Sequence, residues 1–152
     1  MTGLDPNPYM FDYAHSAAAA AGLRRGALTL TEGSAEAMPF ADASFDTVVS
    51  TLTLCSVSAP RKVLAEAQRV LAPGGRFVFV EHVRAFDFGG LLLAQTALEP
   101  FQRLLADNCH LTRQTGALIE GAGFADVKVS RFEVEGASVL APHVSGVAVT
   151  AR

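Results

Sequence analysis

The chain has 152 residues, a length that suits one domain burying roughly 68 to 70% of the surface its unfolded form exposes. Half of the residues are hydrophobic and 18% are charged, which excludes a disordered tail and points to a folded globule. With 12 basic against 15 acidic residues and a net charge of −3, nothing advertises a nucleic-acid partner.

In chain order, a short apolar run ends on Asp5 and is followed by a proline-flanked turn at Asn7. Residues 8–21 read as a helix, capped by Asn7, with Pro8 at the first helical position and Gly22 as the stop. "ALTLTEG" alternates like a strand, and "FDTVVSTLTL" reads as a strand buried on both faces of a parallel sheet. Over 60–71 the apolar positions Val63, Leu64, Ala67, Val70 and Leu71 fall at helical spacing, and "APGG" ends that helix. "RFVFVEHV" follows as a strand. A helix spans about 90–105 with a bend at Pro100, and a shorter one spans about 114–121. "DVKVSRFEVE" and "HVSGVAVTA" close the chain as an antiparallel pair.

Alternating strands and helices imply an α/β fold, doubly wound around a mostly parallel sheet with an antiparallel C-terminal finish. Such domains place ligands at the carboxyl ends of their strands, so the residues following each strand are the functional candidates. Cys55 and Cys109 lie far apart without C-x-x-C spacing, which argues against a disulfide framework or a zinc site and for a reducing compartment. His15 and His143 have no partners at ligand spacing, and no metal is expected. No basic segment followed by an apolar one marks a signal peptide, and the longest apolar stretch, 86–98, falls short of the roughly 20 residues of a spanning helix. The expected location is cytoplasmic.

The segment "EGSAEAMPFADASFDTVVSTLTLCSV", followed by a helix and "VLAPGGRFVFVEHV", resembles the middle of a class I S-adenosylmethionine-dependent methyltransferase of the type 11 domain. With "CHLTRQTGALIEGAGF" included, the chain resembles the thiol-methyltransferase-like branch of that superfamily. The resemblance implies a Rossmann-like sheet, S-adenosylmethionine as cosubstrate, and a small-molecule acceptor, either a thiol or an apolar molecule. It implies that Asp5 accepts hydrogen bonds from the cofactor's ribose hydroxyls, a task suited to two carboxylate oxygens facing a vicinal diol. Taken alone, Asp5 reads first as the start of an Asp-Pro turn, and the family pattern reverses that order.

Ser34, Ala35 and Glu36 match the turn where the family reads the adenine edge. Ser34 replaces an aspartate carried by many relatives, and its hydroxyl brings no charge to that contact. Thr51, Leu52 and Thr53 follow the next strand, where the family keeps residues nearest the transferred methyl group. Methyl transfer from a sulfonium is an in-line displacement that needs alignment and a dry pocket more than a nucleophilic side chain. No compelling catalytic base therefore stands out. His82 is a candidate for proton removal or half of a structural pair with Glu81, and His110 is a candidate for substrate positioning or helix capping.

The family's E/D-x-G-x-G-x-G loop lies about 20 residues before the ribose acid, whereas only four residues precede Asp5. "GLRRG", "APGGR" and "EGAGF" each follow a helix and lead toward a strand, the reverse of the order a cofactor loop needs. The chain therefore reads as a single partial domain over 1–152, lacking the family's first strand and glycine loop, with weak cofactor binding by itself. Residues 87–112 read as a substrate cover, with peripheral membrane contact through 86–105 as a further expectation. The rival reading is a non-catalytic interaction module that keeps the scaffold and offers a strand edge to a partner.

Overall fold

The computed structural model describes residues 1–87 and 89–152. These divide into two compact units, Met1–Pro39 and Phe40–Arg152. Phe88, inside the expected cover, lies outside the described residues.

In the first unit, β1 (Thr2–Asp5) and β2 (Thr29–Glu32) pair in parallel, with Asp5 opposite Glu32. The helix expected from residue 8 begins as a 3-10 turn, Pro8–Met10, and continues as α1 (Phe11–Ala20). Its start follows from local chemistry. The Asn7 carboxamide accepts the Tyr9 N–H at 3.1 Å, and proline at the first position leaves no N–H to satisfy. Gly22 ends the helix with a φ of 77°, a conformation that glycine adopts without the Cβ penalty.

The second unit carries β3 (Phe45–Thr51), α2 (Pro60–Val70), β4 (Leu71–His82), α3 (Gly90–Leu105), α4 (Thr115–Glu120), β5 (Asp126–Glu133) and β6 (Pro142–Val149). Its sheet runs β3-β4-β6-β5. β3 and β4 are parallel, while β6 runs antiparallel to both β4 and β5. The mixed α/β architecture and the antiparallel finish are those read from the sequence. The core packs Val63, Leu64, Ala67 and Val70 of α2 with Phe77, Phe79, Ile119 and Ala148. Phe77 stacks on Phe79 at 5.9 Å and on Phe124 at 5.8 Å; burying each such ring contributes roughly 1.5 to 3 kcal/mol. At Gly146 an added Cβ would meet the Lys128 carbonyl and the Phe79 ring, so the two strands close over the core only because that side chain is missing.

Two elements depart from expectation. β3 is not buried on both faces: Val49 is 67% exposed, and Ser50 is its one buried residue. β3 occupies an edge of its sheet, where a β-branched run keeps its strand conformation without burial on both sides. β4 starts earlier than "RFVFVEHV", because Leu71 already pairs with Phe45. A register shift between Phe45 and Thr47 accommodates the Pro-Gly-Gly segment, as bulges do where a proline cannot donate to the ladder.

Candidate functional site

In the first unit, parallel pairing carries the end of β1 to the turn that follows β2. The Gly33 N–H donates to the Asp5 carbonyl at 3.2 Å, so the carboxylate and the 33–36 turn are neighbours on one ladder. Asp5 Oδ1 accepts the Asn7 N–H at 2.8 Å. Its Oδ2 has no partner among the described residues and keeps its lone pairs for a ligand. The turn holds itself: Ser34 Oγ accepts the Glu36 N–H at 3.1 Å, and the Ser34 carbonyl accepts the Ala37 N–H at 3.1 Å. Space at Gly33 is limited, since an added Cβ would lie 3.0 Å from a Leu4 methyl.

In the second unit, Thr51 ends β3 and Leu52 turns out of the strand with a φ of 53°. That left-handed conformation costs a branched residue roughly 1 to 3 kcal/mol and persists only where the surroundings enforce it. The enforcement is visible. Leu52 N–H donates to the Val80 carbonyl at 2.9 Å, and its own carbonyl accepts the Cys55 thiol at 3.3 Å. Thr53 Oγ1 donates to the Thr51 carbonyl at 3.2 Å. Each of those two carbonyls thus has one lone pair engaged and a second available.

Beneath the turn lies Glu81, fully buried at the end of β4. Its Oε1 accepts the Ser50 hydroxyl at 2.6 Å and the Thr53 N–H at 3.2 Å, and its Oε2 accepts the Cys55 N–H at 3.4 Å. Burial pushes its pKa up, and these hydrogen bonds oppose the shift. From the side, Arg113 Nη1 donates to the Leu54 and Val57 carbonyls at 2.6 and 2.8 Å, and the Asn108 amide donates to the Ser56 carbonyl at 2.7 Å. The sequence marked Glu81 only as a neighbour of His82, and it gave no sign that Arg113 secures a turn so distant along the chain.

Of the two histidine candidates, His110 is committed to structure. Its Nδ1 sits 2.9 Å from Glu99 Oε1, Glu99 Oε2 accepts the Thr112 N–H at 3.0 Å, and the His110 N–H donates to the Cys55 carbonyl at 2.9 Å. Burial and then Arg113 lower its pKa, with Glu99 opposing. His82 differs. It is 2% exposed, packs edge-on against His143 at 5.7 Å, and has no hydrogen-bond partner on either ring nitrogen among the described residues. Adjacent strand residues face opposite sides, so Glu81 and His82 do not form the structural pair that the sequence allowed.

Cys109 lies beside His82. Its pKa is pulled down to about 4, first by the neighbouring Cys55 and then by His82. The neighbouring Cys109, and then burial, push the Cys55 pKa up. Past the end of β4 an open cavity of about 270 Å³ is lined by Val83, Arg84, Phe86, Gly116, Val129 and Arg131. Among the described residues no group of His, Cys, Asp and Glu is placed to hold a metal ion, and no helix is long and apolar enough to cross a membrane.

Comparison with known proteins places this arrangement. Residues 1–79 match the family described as the methyltransferase domain. Thiol S-methyltransferase TMT1B of Homo sapiens is 37% identical over 151 residues, which cover 98% of this chain and 62% of that protein. TMT1B of Rattus norvegicus is 53% identical over 89 residues, covering 59% and 36% respectively. The chain therefore spans between about a third and two-thirds of the length of these relatives. Among solved structures, the YcgJ protein of Bacillus subtilis superposes with a TM-score of 0.74 at 17% identity, over 99% of this chain and 82% of that one. A methyltransferase of Thermotoga maritima gives 0.71 at 21%, over 97% and 72%; at such identities the likeness establishes the fold. The strand-end turns thus sit on a known scaffold, and the chain belongs to the class I S-adenosylmethionine-dependent methyltransferases.

Proposed function

We propose that the chain carries the adenosine-reading and methyl-facing strand ends of an enzyme that transfers a methyl group from S-adenosylmethionine to a small acceptor, a thiol first and an apolar molecule second. The observation that carries this reading is the shared ladder of Asp5 and the 33–36 turn, joined by the Gly33–Asp5 bond of 3.2 Å. A nucleoside needs a ribose acceptor beside a row of backbone groups for its base, and one strand pair supplies both. Asp5 holds the ribose through Oδ2, and backbone around Ala35 with Ser34 and Glu36 faces the adenine. Thr51 and Leu52 offer carbonyl lone pairs to the methionine ammonium. When bound, the cosubstrate supplies the electrophilic methyl group, and the residues of this chain orient it and exclude water. The 270 Å³ cavity matches a small acceptor better than a macromolecule.

The thiol assignment comes from the printed names of the TMT1B relatives. The apolar assignment has support of its own. α3 buries only Gln95, which accepts the Ala85 N–H at 2.7 Å and donates to the Val139 carbonyl at 2.9 Å. Outward it presents Leu93, Phe101, Leu104 and Leu105, each at least 63% exposed. A helix pinned by an amide inside and apolar outside suits a cover over an apolar acceptor or contact with a membrane surface.

Titration with S-adenosylhomocysteine, followed by amide NMR, tests the reading. The 152-residue chain is expected to bind weakly, with shifts concentrated at Asp5 and 33–36 and abolished by Asp5→Asn. Shifts that avoid both places would end it. The rival role as an interaction module draws on the exposed edge strand β3. Concentration-dependent association in the ultracentrifuge, together with no response to the ligand, would favour that role.

A further inference from the structure

The cavity past the end of β4 has walls of two kinds. Val83, Ala85 and Val144 give it a buried apolar floor, which Gly116 and Val129 continue. Gly116 leaves room at that end, since an added Cβ would meet a Val144 methyl at 3.6 Å and a Val129 methyl at 3.9 Å, in ordinary contact. The remaining wall is aromatic and polar, and Phe86, Gln114, Glu120 and Arg131 are its exposed members. Arg131 stands directly opposite Val144 in the β5–β6 ladder and two residues from Val129. Both relations put its side chain on the face that carries the floor.

The Arg131 guanidinium lies over the Phe86 ring, 5.4 Å from its centre. Stacking on a ring engages the face of a guanidinium and leaves its N–H donors available at the edge. No ion pair occupies those donors among the described residues: Glu120, the one acid of the lining, is not bridged to Arg131. With Arg84 also in the wall, the lining carries two positive charges against one negative. Gln114, whose side chain caps nothing at the start of α4, offers a further N–H donor. A planar cation held on a ring beside an apolar floor suits a planar anion with an apolar body, because the ring has already fixed the side chain that must pair.

We propose that this cavity binds a small organic carboxylate, with Arg131 pairing the carboxylate through two N–H donors and the floor of Val83, Ala85 and Val144 taking the apolar body. Its volume of about 270 Å³ falls just below the ~300 Å³ at which drug-sized pockets begin, so a single ring and its acid fit. The proposal names the chemical class of the acceptor that the methyl-transfer reading assigns to this cavity. It rests on that reading only for the occupant's being methylated; binding of the anion stands without it.

The test is an amide NMR titration of the 152-residue chain with benzoate, in the absence of cosubstrate, compared with benzamide and inorganic phosphate at equal ionic strength. Benzamide has the same shape without the charge, and phosphate has the charge without the apolar body. Saturable shifts at 83–86, 114–117 and 129–131 are expected with benzoate at a millimolar Kd, and binding about tenfold weaker or absent with the other two. Arg131→Gln should weaken benzoate binding about tenfold. No saturable response to benzoate, equal affinity for benzoate and either comparison ligand, shifts confined to other places, or unchanged binding in Arg131→Gln would each overturn the proposal. The benzoate–benzamide comparison needs no variant and decides the matter if Arg131→Gln does not fold. The S-adenosylhomocysteine titration judges the methyl-transfer reading separately: a chain that answers that ligand at Asp5 and 33–36 but ignores benzoate sinks the carboxylate alone.

Discussion

The turn after β2 and the turn after β3, to both of which the proposed function gives a cofactor contact, are built in opposite ways. The first is held by its own chain: Ser34 bonds Glu36 and Ala37, Asp5 bonds Asn7, and each contact spans two or three residues. The second adds long-range supports to its local Thr53–Thr51 and Cys55–Leu52 bonds. Leu52 sits in a conformation its side chain disfavours, and the turn depends on Glu81, Asn108 and Arg113 from distant parts of the chain. A turn that presents backbone to a flat base needs only local hydrogen bonds that water can replace. A turn that must keep carbonyls facing a charged group in a dry place needs polar supports that are themselves buried, and buried supports are costly to lose.

That contrast breaks first at Glu81. Glu81→Ala orphans the Ser50 hydroxyl and the N–H groups of Thr53 and Cys55, so a loss of about 3 kcal/mol is expected from urea unfolding, a large share of a typical domain's stability. Glu81→Gln keeps one acceptor oxygen and should lose less, and it isolates the pH dependence. The Glu81 pKa is raised above its unfolded value of 4.5. The folded chain therefore binds this proton more tightly than the unfolded chain. The contribution is most favourable below about pH 4.5 and declines as pH rises through the folded value. The glutamine variant should lack this decline. Identical pH slopes in the two proteins would mean that Glu81 titrates as it does when unfolded.

Arg113→Ala comes next. It removes two charge-assisted bonds to the 54–57 turn, but the guanidinium is only half-buried and water can enter. A loss of about 1 to 2 kcal/mol is expected by the same measurement, with amide exchange rising at 54–57 ahead of global unfolding. Uniform protection across that turn would show that Glu81 suffices alone.

Much of this was legible in the sequence where the signal is local. Asn7, Pro8 and Gly22 punctuate α1 because capping and left-handed geometry depend on neighbouring residues. The apolar spacing of α2 matches its buried face residue by residue. Asp5 and the 33–36 turn were found together because a family pattern named them and a single strand pair joins them. What escaped is non-local. β3 reads as a central strand, yet its exposure depends on which neighbours it has in the sheet. Glu81 looks like the partner of His82 because the two are consecutive, whereas the pleat sends them to opposite faces. Arg113 and Asn108 join positions separated by more than fifty residues, and no short-range pattern encodes a contact of that kind.

The smallest predicted effects sharpen the contrast best, because they have opposite signs. Ser34→Ala removes one exposed bond within a turn and should cost about 0.5 kcal/mol, since solvent replaces the lost acceptor. Leu52→Gly removes a side chain that is 51% exposed and relieves a φ of 53°. Relief of left-handed strain favours glycine by about 1 kcal/mol or more, while the added freedom of the unfolded chain and the lost partial burial oppose it by a similar but smaller amount. A net gain of a few tenths to about 0.5 kcal/mol is expected, read as a raised urea midpoint. A clear loss on Leu52→Gly would mean that the Leu52 side chain, and not only its backbone, is packed to support the turn. The second turn would then be strained for the sake of a side-chain contact, and the division between a self-held turn and an enforced one would have to be redrawn around that contact.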